Sequence, residues 1–153
     1  MKLTMILCDA AQVSEGKLYI LGGGWNLIGP SPAPSALGIL IEVPWDRANS
    51  PFTLQLELHD QDGAPAVQPG PAGPQPVRLE AIIEAGRTQD LAEGSPLQIP
   101  LAITLPPLTL TAGTRYRWEA TMAGEPEHDG WNVSFQTRPA ARPLTPETVG
   151  FDD

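Results

Sequence analysis

The chain contains, at residues 16–25, the stretch GKLYILGGGW, in which a short run of strand-forming side chains ends in three glycines and a tryptophan. Because glycine has no Cβ, it takes positive φ at little steric cost, so the run can bulge or bend sharply before it seats the large indole. The stretch therefore predicts a structural motif, made of Gly22, Gly23, Gly24 and Trp25. We expect at least one of these glycines at positive φ and Trp25 largely buried against the opposite sheet.

Almost every other apolar segment has a period of two, which is the pattern of a half-buried strand, and almost none has the helical period of 3.6. About eight strands are predicted, at the close spacing expected of a sandwich or barrel. The predicted strands cover residues 3–8, 17–25, 37–45, 53–59, 77–83, 97–105, 115–122 and 131–136. We predict an all-β fold for residues 1–138, an antiparallel two-sheet β-sandwich.

The connections between these strands carry their own signals. Ala64–Pro76 is rich in Pro and Gly and predicts a mobile excursion between two strands, and Gly86–Pro96 has room for a short helical turn at residues 90–93. Pro100 interrupts an alternating run and predicts an edge strand or a bulge, since proline cannot donate to a ladder. From Pro139 the apolar pattern ends, which predicts a flexible tail over residues 139–153.

The closing third of the sequence has a recognisable order of features. An apolar pair at Leu108 and Leu110 precedes a Gly turn, a strand that opens with Tyr116 and a return strand from Trp131. This order resembles the last strands of immunoglobulin-like sandwiches, in which a tyrosine near the start of the penultimate strand bonds back to the preceding corner. An ordinary antiparallel hairpin packed on another sheet gives the same pattern, and both interpretations stay open at this point. For the fold as a whole we predict a two-sheet sandwich of immunoglobulin-like character.

Residues 7–25 also resemble the signature of a small, functionally uncharacterised bacterial family. In that family a strand, a short acidic connection and a GK-L-[YN]-hydrophobic-x-GGGW segment open an all-β domain, and Leu7-Cys8-Asp9 with residues 16–25 fit this order. The resemblance implies an all-β fold. It implies no activity, ligand or catalytic residue.

Charge and cysteine content exclude several classes of function. A formal net charge of −9 disfavours binding to nucleic acid or to an anionic membrane surface, both of which need clustered Lys and Arg. The single cysteine, Cys8, cannot form an internal disulfide. The apolar run Leu3–Leu7 is shorter than the core of a secretion signal, so it predicts a first strand, with Cys8 buried and the protein in the cytoplasm.

Candidate chemistry is sparse. The triple glycine lacks the helix N-terminus and the Lys-Ser/Thr pair of a phosphate loop. Asp60 and Asp62 flank a predicted turn; they are either turn residues or, if Asp9 or Asp129 converges with them, part of a calcium or hydrolytic site. No cofactor, metal or catalytic residue is predicted.

Two tryptophans, Trp45 and Trp131, lie near strand ends beside polar residues, which suits either interaction anchors or lids over the end of the core. We therefore predict a non-enzymatic binding or assembly module that has an unknown protein partner or self-associates. The alternative is a small hydrolase, a carbohydrate-active domain or a calcium-binding β-sandwich that uses the loop carboxylates.

Overall fold

The computed structural model describes residues 1–141, which form an all-β fold with no α-helix in that range. The predicted all-β class is confirmed. The strands are β1 (Lys2–Cys8), β2 (Ala10–Ser14), β3 (Lys17–Leu21), β4 (Leu27–Ile28), β5 (Ser35–Val43), β6 (Phe52–Asp60), β7 (Val67–Gly70), β8 (Gly73–Pro76), β9 (Arg78–Ile83), β10 (Leu97–Leu105), β11 (Arg115–Met122) and β12 (Asn132–Thr137). One 3-10 turn covers Trp45–Arg47.

Two sheets carry the core. The three-stranded sheet has the order β1-β5-β10 and the five-stranded sheet the order β4-β12-β11-β6-β9. All pairs are antiparallel except β4 with β12. Because successive strand residues point to opposite faces, alternate apolar side chains of both sheets reach one shared cluster. Leu37, Ile39, Leu56, Leu58 and Trp118 are among its fully buried members.

Each of the eight predicted strands is present, and two of them end earlier than predicted. The strand that begins at Lys17 was expected to reach Trp25 but ends at Leu21, because the backbone turns at Gly22, where φ is 63°. The strand expected to reach Trp45 ends at Val43, because Pro44 leads into the 3-10 turn.

The connections differ more from the prediction. The segment expected to be a mobile excursion contains the β7–β8 hairpin, whose ladder uses backbone groups despite its Pro-rich composition. The helical turn expected at residues 90–93 is absent, and two successive turns replace it, closed by Leu91 N–H to Thr88 O and Ser95 N–H to Ala92 O. Pro100 lies on β10, an edge strand of its sheet, as predicted.

The unpredicted strand β2 pairs with β3, and this β2–β3 hairpin lies over β5 and β10 on the outward face of the three-stranded sheet. Gly38 of β5 makes the close approach possible. A Cβ at this position would lie 2.8 Å from Ile20 Cδ1 and 3.5 Å from Leu18 Cδ2. The hairpin therefore packs its inward side chains against a glycine.

The glycine-tryptophan motif carries the chain from one sheet to the other. Gly24 N–H donates to Leu7 O of β1 at 2.7 Å, and two residues later Asn26 O accepts from Gln136 N–H of β12 at 2.8 Å. Gly22 and Gly24 have φ of 63° and 87°, which confirms the expected positive φ. Trp25 is half-buried, packs against the core and meets the Phe135 ring edge-on at a centroid distance of 5.8 Å.

The predicted burial of Cys8 is confirmed, and Tyr116 forms a hydrogen bond to the corner before its strand. Cys8 is fully buried; its thiol donates to Ala36 O at 3.4 Å, and burial raises its pKa. Tyr116, at the start of the penultimate strand, accepts a 2.9 Å hydrogen bond on its hydroxyl from the backbone N–H of Thr111, in the preceding corner. The predicted flexible tail lies, from residue 142 onward, outside the described residues.

Candidate functional site

Three loops meet at one end of the two sheets. They are residues 44–51 between β5 and β6, residues 84–96 between β9 and β10, and residues 123–131 between β11 and β12. The strand registers place them together, since Val43 pairs with Leu97 and Phe52 with Ile83. We call this region the loop end.

Direct contacts fasten the three loops to each other. Asn49 N–H donates to Ala85 O at 2.7 Å, which joins the first loop to the second. Arg47 forms an ion pair with Glu125 across the gap to the third loop, and the Glu125 side chain is only 14% exposed. The first loop therefore holds both of the others, and the loop end forms one connected surface.

Two aromatic pairs lie on this surface. The Arg87 guanidinium lies 4.6 Å from the centre of the Trp45 ring and also donates to Trp45 O at 2.9 Å, so the cation covers the half-buried indole. The His128 ring stacks on Trp131 at a centroid distance of 4.9 Å, with 13° between the ring planes. Cation–π and stacking contacts of this kind fix the side chains in place.

The two predicted anchors occupy different environments. Trp131 is 5% exposed and belongs to the core, so its burial favours a lid role, with His128 stacked over it. Trp45 is half-buried and lies in the 3-10 turn beside exposed Asp46. The part of the Trp45 indole that Arg87 leaves uncovered is exposed aromatic surface at the loop end.

The carboxylates considered for a calcium or hydrolytic site do not converge. Asp60 Oδ1 accepts from Asp62 N–H at 2.9 Å and from Ala64 N–H at 3.1 Å, which is the hydrogen bonding of a turn. Asp60 pairs with Tyr116 at the start of β11, whereas Asp129 follows the opposite end of that strand. Asp9 lies beside Gly22, next to the hairpin.

A row of acidic and basic side chains, which we call the charge chain, crosses the outward face of the five-stranded sheet. His59 lies between two carboxylates, with Nε2 at 2.8 Å from Glu57 Oε1 and Nδ1 at 2.9 Å from Glu119 Oε2. Arg78 donates to Glu57 Oε2 from Nε at 2.9 Å and from its terminal nitrogen at 2.6 Å. Arg117 reaches Glu119 Oε1 at 2.6 Å.

This charge chain explains the one clear pKa shift among the described carboxylates. The hydrogen bond from His59, and after it the one from Arg78, lowers the pKa of Glu57, and burial opposes them less strongly. Both nitrogens of His59 lie within hydrogen-bond distance of carboxylate oxygens, Nε2 of Glu57 and Nδ1 of Glu119. The charge chain therefore joins strands β9, β6 and β11 through contacts between their side chains.

Across residues 1–141, no group of three or more His, Cys, Asp or Glu side chains is arranged to hold a metal ion. In the same range, no helix has the length and apolar character needed to cross a membrane.

The sequence model of one protein family matches residues 3–130, a range that includes the GKLYILGGGW stretch and most of both sheets. The chain belongs to DUF6941. This is a family of unknown function, which confirms the resemblance to a small uncharacterised family. No curated protein matches the chain. The DUF6941 match includes Trp45, Arg87 and His128 and stops one residue before Trp131.

The sequence did not indicate two residues of this site. Arg87 lies in a loop where the local sequence suggested only a helical turn, and no sequence pattern indicated that His128 would stack on Trp131. Arg87 contacts Trp45, which is distant in sequence, and His128 contacts Trp131 only because of the conformation of the loop. The Gly130 N–H bond to His128 Nδ1, at 3.0 Å, which holds the imidazole ring, is one such local detail.

Proposed function

We propose that this chain is a non-enzymatic, cytoplasmic binding or assembly module, that its two sheets form an immunoglobulin-like sandwich, and that a protein partner binds at the loop end. The observation that carries the proposal is that hydrogen bonds and an ion pair join three loops into one surface around Trp45 and Arg87. Rigid scaffolds commonly present binding residues on loops of this kind.

Strand order supports the immunoglobulin-like part of the proposal. In that fold the strands A, B and E share one sheet and C, F and G the other. The order β1-β5-β10 corresponds to A-B-E, and β12-β11-β6 corresponds to G-F-C. The Tyr116 hydroxyl bond to Thr111 N–H corresponds to the tyrosine corner. Under this correspondence the loop end contains the B–C and F–G loops, which variable domains use for binding.

Charge indicates the chemistry of the partner. The three loops contain seven acidic side chains and two basic ones, whereas the rest of residues 1–141 contains eight acidic and six basic ones. Both loop bases are engaged within the surface, Arg47 with Glu125 and Arg87 with Trp45. A partner with a basic patch beside an apolar or aromatic group complements this surface, and such complementarity accelerates association at low salt.

The test is quantitative affinity capture from the native cell with tagged wild-type protein and two variants. Trp45→Ala combined with Arg87→Ala removes the cation–π pair, and Val67→Ala alters an apolar side chain that is 54% exposed in β7, outside the loop end. We expect one protein to be retained by the wild type and by Val67→Ala, and to fall about tenfold with the double variant.

Recovery of that protein should also fall as salt rises, because exposed charge pairs are screened. Equal recovery with both variants would place the partner elsewhere and contradict the proposed surface. Circular dichroism and melting temperature for each variant distinguish loss of binding from loss of folding.

A further inference from the structure

The five-stranded sheet ends at a strand that has a neighbour on one side only. β9 is the last strand in the order β4-β12-β11-β6-β9 and, within residues 1–141, it pairs with β6 alone. An edge strand of this kind presents a row of unpaired backbone N–H and C=O groups, on which another extended segment can form a ladder. We call this row the β9 edge.

A hydrogen bond at the start of β9 shows which residues form this row. Leu58 N–H of β6 donates at 3.0 Å to the carbonyl of Val77, the residue before β9. Both backbone groups of a strand residue point to the same side, and the side alternates from one residue to the next. Odd-numbered residues of β9 therefore bond to β6. The backbone groups directed to the β9 edge are those of Arg78, Glu80 and Ile82.

The other sheet edges are protected in ways that β9 lacks. β10 contains Pro100, which cannot donate to a ladder, and β4 is only two residues long. On β1, the carbonyl of Leu7 already accepts from Gly24 N–H. β9 has six residues and no proline, and its Ile82 is 80% exposed, the highest value among the large apolar side chains of residues 1–141. The β9 edge is therefore the edge best suited to a further strand.

The outward side chains of β9 indicate the chemistry of such a strand. They are Arg78, Glu80 and Ile82, and exposed Glu84 continues the row just after β9. Glu57 compensates the charge of Arg78 through an ion pair at 2.6 Å. Neither Glu80 nor Glu84 forms an ion pair with a residue that the structure describes. The row thus places one apolar side chain between two uncompensated carboxylates.

A segment that complements this row alternates along its length. Cross-strand pairs of opposite charge and of apolar side chains stabilise a sheet, so Lys or Arg opposite the carboxylates and an apolar residue opposite Ile82 give the pattern basic-x-apolar-x-basic. The x positions extend the inner face beside half-buried Leu79 and Ala81, so apolar residues suit them as well. A second copy of this chain would bring two acidic rows and two net charges of −9 together, which indicates a different protein as the occupant.

We propose that the β9 edge binds an extended basic segment of a partner protein, which adds a strand to the five-stranded sheet. The segment forms backbone hydrogen bonds with Glu80 and Ile82 and ion pairs with Glu80 and Glu84. This proposal is independent of the loop-end proposal, since Trp45 and Arg87 take no part in it. Binding of a short free segment is weak, because the segment loses conformational entropy when it is ordered.

NMR titration of the full chain with the peptide acetyl-KVLVK-amide tests the proposal, and acetyl-EVLVE-amide is the control peptide. We expect chemical-shift changes along β9 at millimolar KVLVK and none with EVLVE. At saturation, the N–H groups of Glu80 and Ile82 should exchange more slowly with solvent. Those of Leu79 and Ala81 should change little, because they already bond to β6.

Three variants locate the site. Ile82→Pro removes one N–H of the β9 edge and none of the β6 ladder, so it should abolish binding and retain the fold. Glu80→Lys combined with Glu84→Lys should weaken KVLVK binding about five- to tenfold and allow EVLVE to bind. Asp90→Lys combined with Glu93→Lys makes the same change of net charge in the exposed loop after β9, and this matched control should leave KVLVK binding nearly unchanged.

Any of four outcomes would overturn the proposal: no binding of KVLVK at millimolar concentration, equal binding of EVLVE, binding that survives Ile82→Pro, or an equal loss with the loop control. A wild-type dimer in sedimentation velocity that Ile82→Pro dissociates would make a second copy the occupant and would overturn it too. Circular dichroism verifies that each variant folds. If Ile82→Pro does not fold, hydrogen exchange and the charge reversal decide the result.

Discussion

The outward faces of the two sheets are covered in different ways. On the three-stranded sheet, small residues of β5 and β10, among them Ala36, Gly38 and Ala102, leave space that the β2–β3 hairpin occupies. On the five-stranded sheet, long charged side chains cover the face, and His59 joins Glu57 to Glu119. One face is covered by side chains of another element, Leu18 and Ile20 of the hairpin, and the other by its own side chains.

The difference shows how outward-facing residues determine what covers a sheet. A sheet face made of Gly and Ala leaves the backbone exposed, and the fold becomes more stable when another element buries the apolar area of that face. A face of Glu, His and Arg can satisfy its charges in pairs and remain open to water. After the β2–β3 hairpin has covered the three-stranded sheet, the polypeptide must return to the five-stranded sheet. The Gly22–Trp25 segment makes this connection.

The largest expected effect is at that connection. Trp25→Ala should lower the free energy of unfolding by about 2–3 kcal/mol, less than the ~3–5 kcal/mol of a fully buried tryptophan, because the ring is half-buried. Urea unfolding measures the change. Hydrogen exchange should also increase in the β2–β3 hairpin, since the anchor at its end is lost.

Trp25→Phe is the informative control for this prediction. Trp25 Nε1 is buried and has no hydrogen-bond partner among residues 1–141. Phenylalanine keeps an aromatic edge near Phe135 and removes the unpaired donor, so we expect a cost well below that of alanine. A phenylalanine variant as unstable as the alanine variant would indicate that the nitrogen has a partner after all.

The next effect concerns the covered face. Gly38→Val should cost about 1–2 kcal/mol through overpacking, because even a Cβ lies 2.8 Å from Ile20 Cδ1 and 3.2 Å from Ile20 Cγ1. Gly38→Ala should cost less, since the end of the isoleucine side chain can move. Urea unfolding measures both variants, and combining Gly38→Val with Ile20→Ala should recover part of the loss. No recovery would contradict a steric cause.

The strands that the sequence predicted are those with alternating side chains on a half-buried surface. Leu54, Leu56 and Leu58, which are all buried, alternate with polar residues and locate β6 without further information. β2 was missed because Ala10–Ser14 has little strand preference and depends on β3 and the underlying sheet for its place. β7 and β8 were missed because Pro and Gly dominate them, although backbone pairing still forms.

The contacts of the candidate site could be predicted from the sequence less well than the strands. Trp45 was chosen because of its position at a strand end, and the loop-end contacts with Arg87 do involve it. The alternating pattern put Glu57 and His59 on the outward face, but their contact with Glu119 depends on the β6–β11 register, in which Glu57 pairs with Glu119. Register and loop contacts between distant segments are tertiary properties, so no local pattern predicts them.

A smaller effect is expected on the charged face. His59→Gln should cost about 0.5–1 kcal/mol in urea unfolding at neutral pH, because both N–H donors of glutamine are on one nitrogen and its oxygen cannot donate to the second carboxylate. The loss of stability should be smaller at high salt, because the ion pairs of the charge chain are partly exposed and salt screens them. Gln98→Ala, on exposed β10 surface, is the control and should change little. A loss that is independent of salt would indicate packing and not charge.

The smallest effect is the dependence of stability on pH through Glu57. The contacts from His59 and Arg78 lower its pKa in the folded state, so the unfolded chain takes up the proton first as pH falls, near the ordinary glutamate value of about 4.3. The contribution of Glu57 to stability is therefore present at neutral pH and is lost as pH falls through its folded pKa. Glu57→Gln should reduce the free energy of unfolding at neutral pH and flatten its decline below about pH 5.

The measurement is urea unfolding of wild type and variant at several pH values, since the other carboxylates contribute equally to both and cancel in the difference. Glu93→Gln, in the exposed loop between β9 and β10, is the matched control and should leave the difference from wild type unchanged across the same range. If the Glu57→Gln difference is the same at neutral and acidic pH, the charge chain adds nothing through ionisation. The outward face of the five-stranded sheet would then be covered by side-chain packing alone, and the contrast between the two faces would be one of residue size.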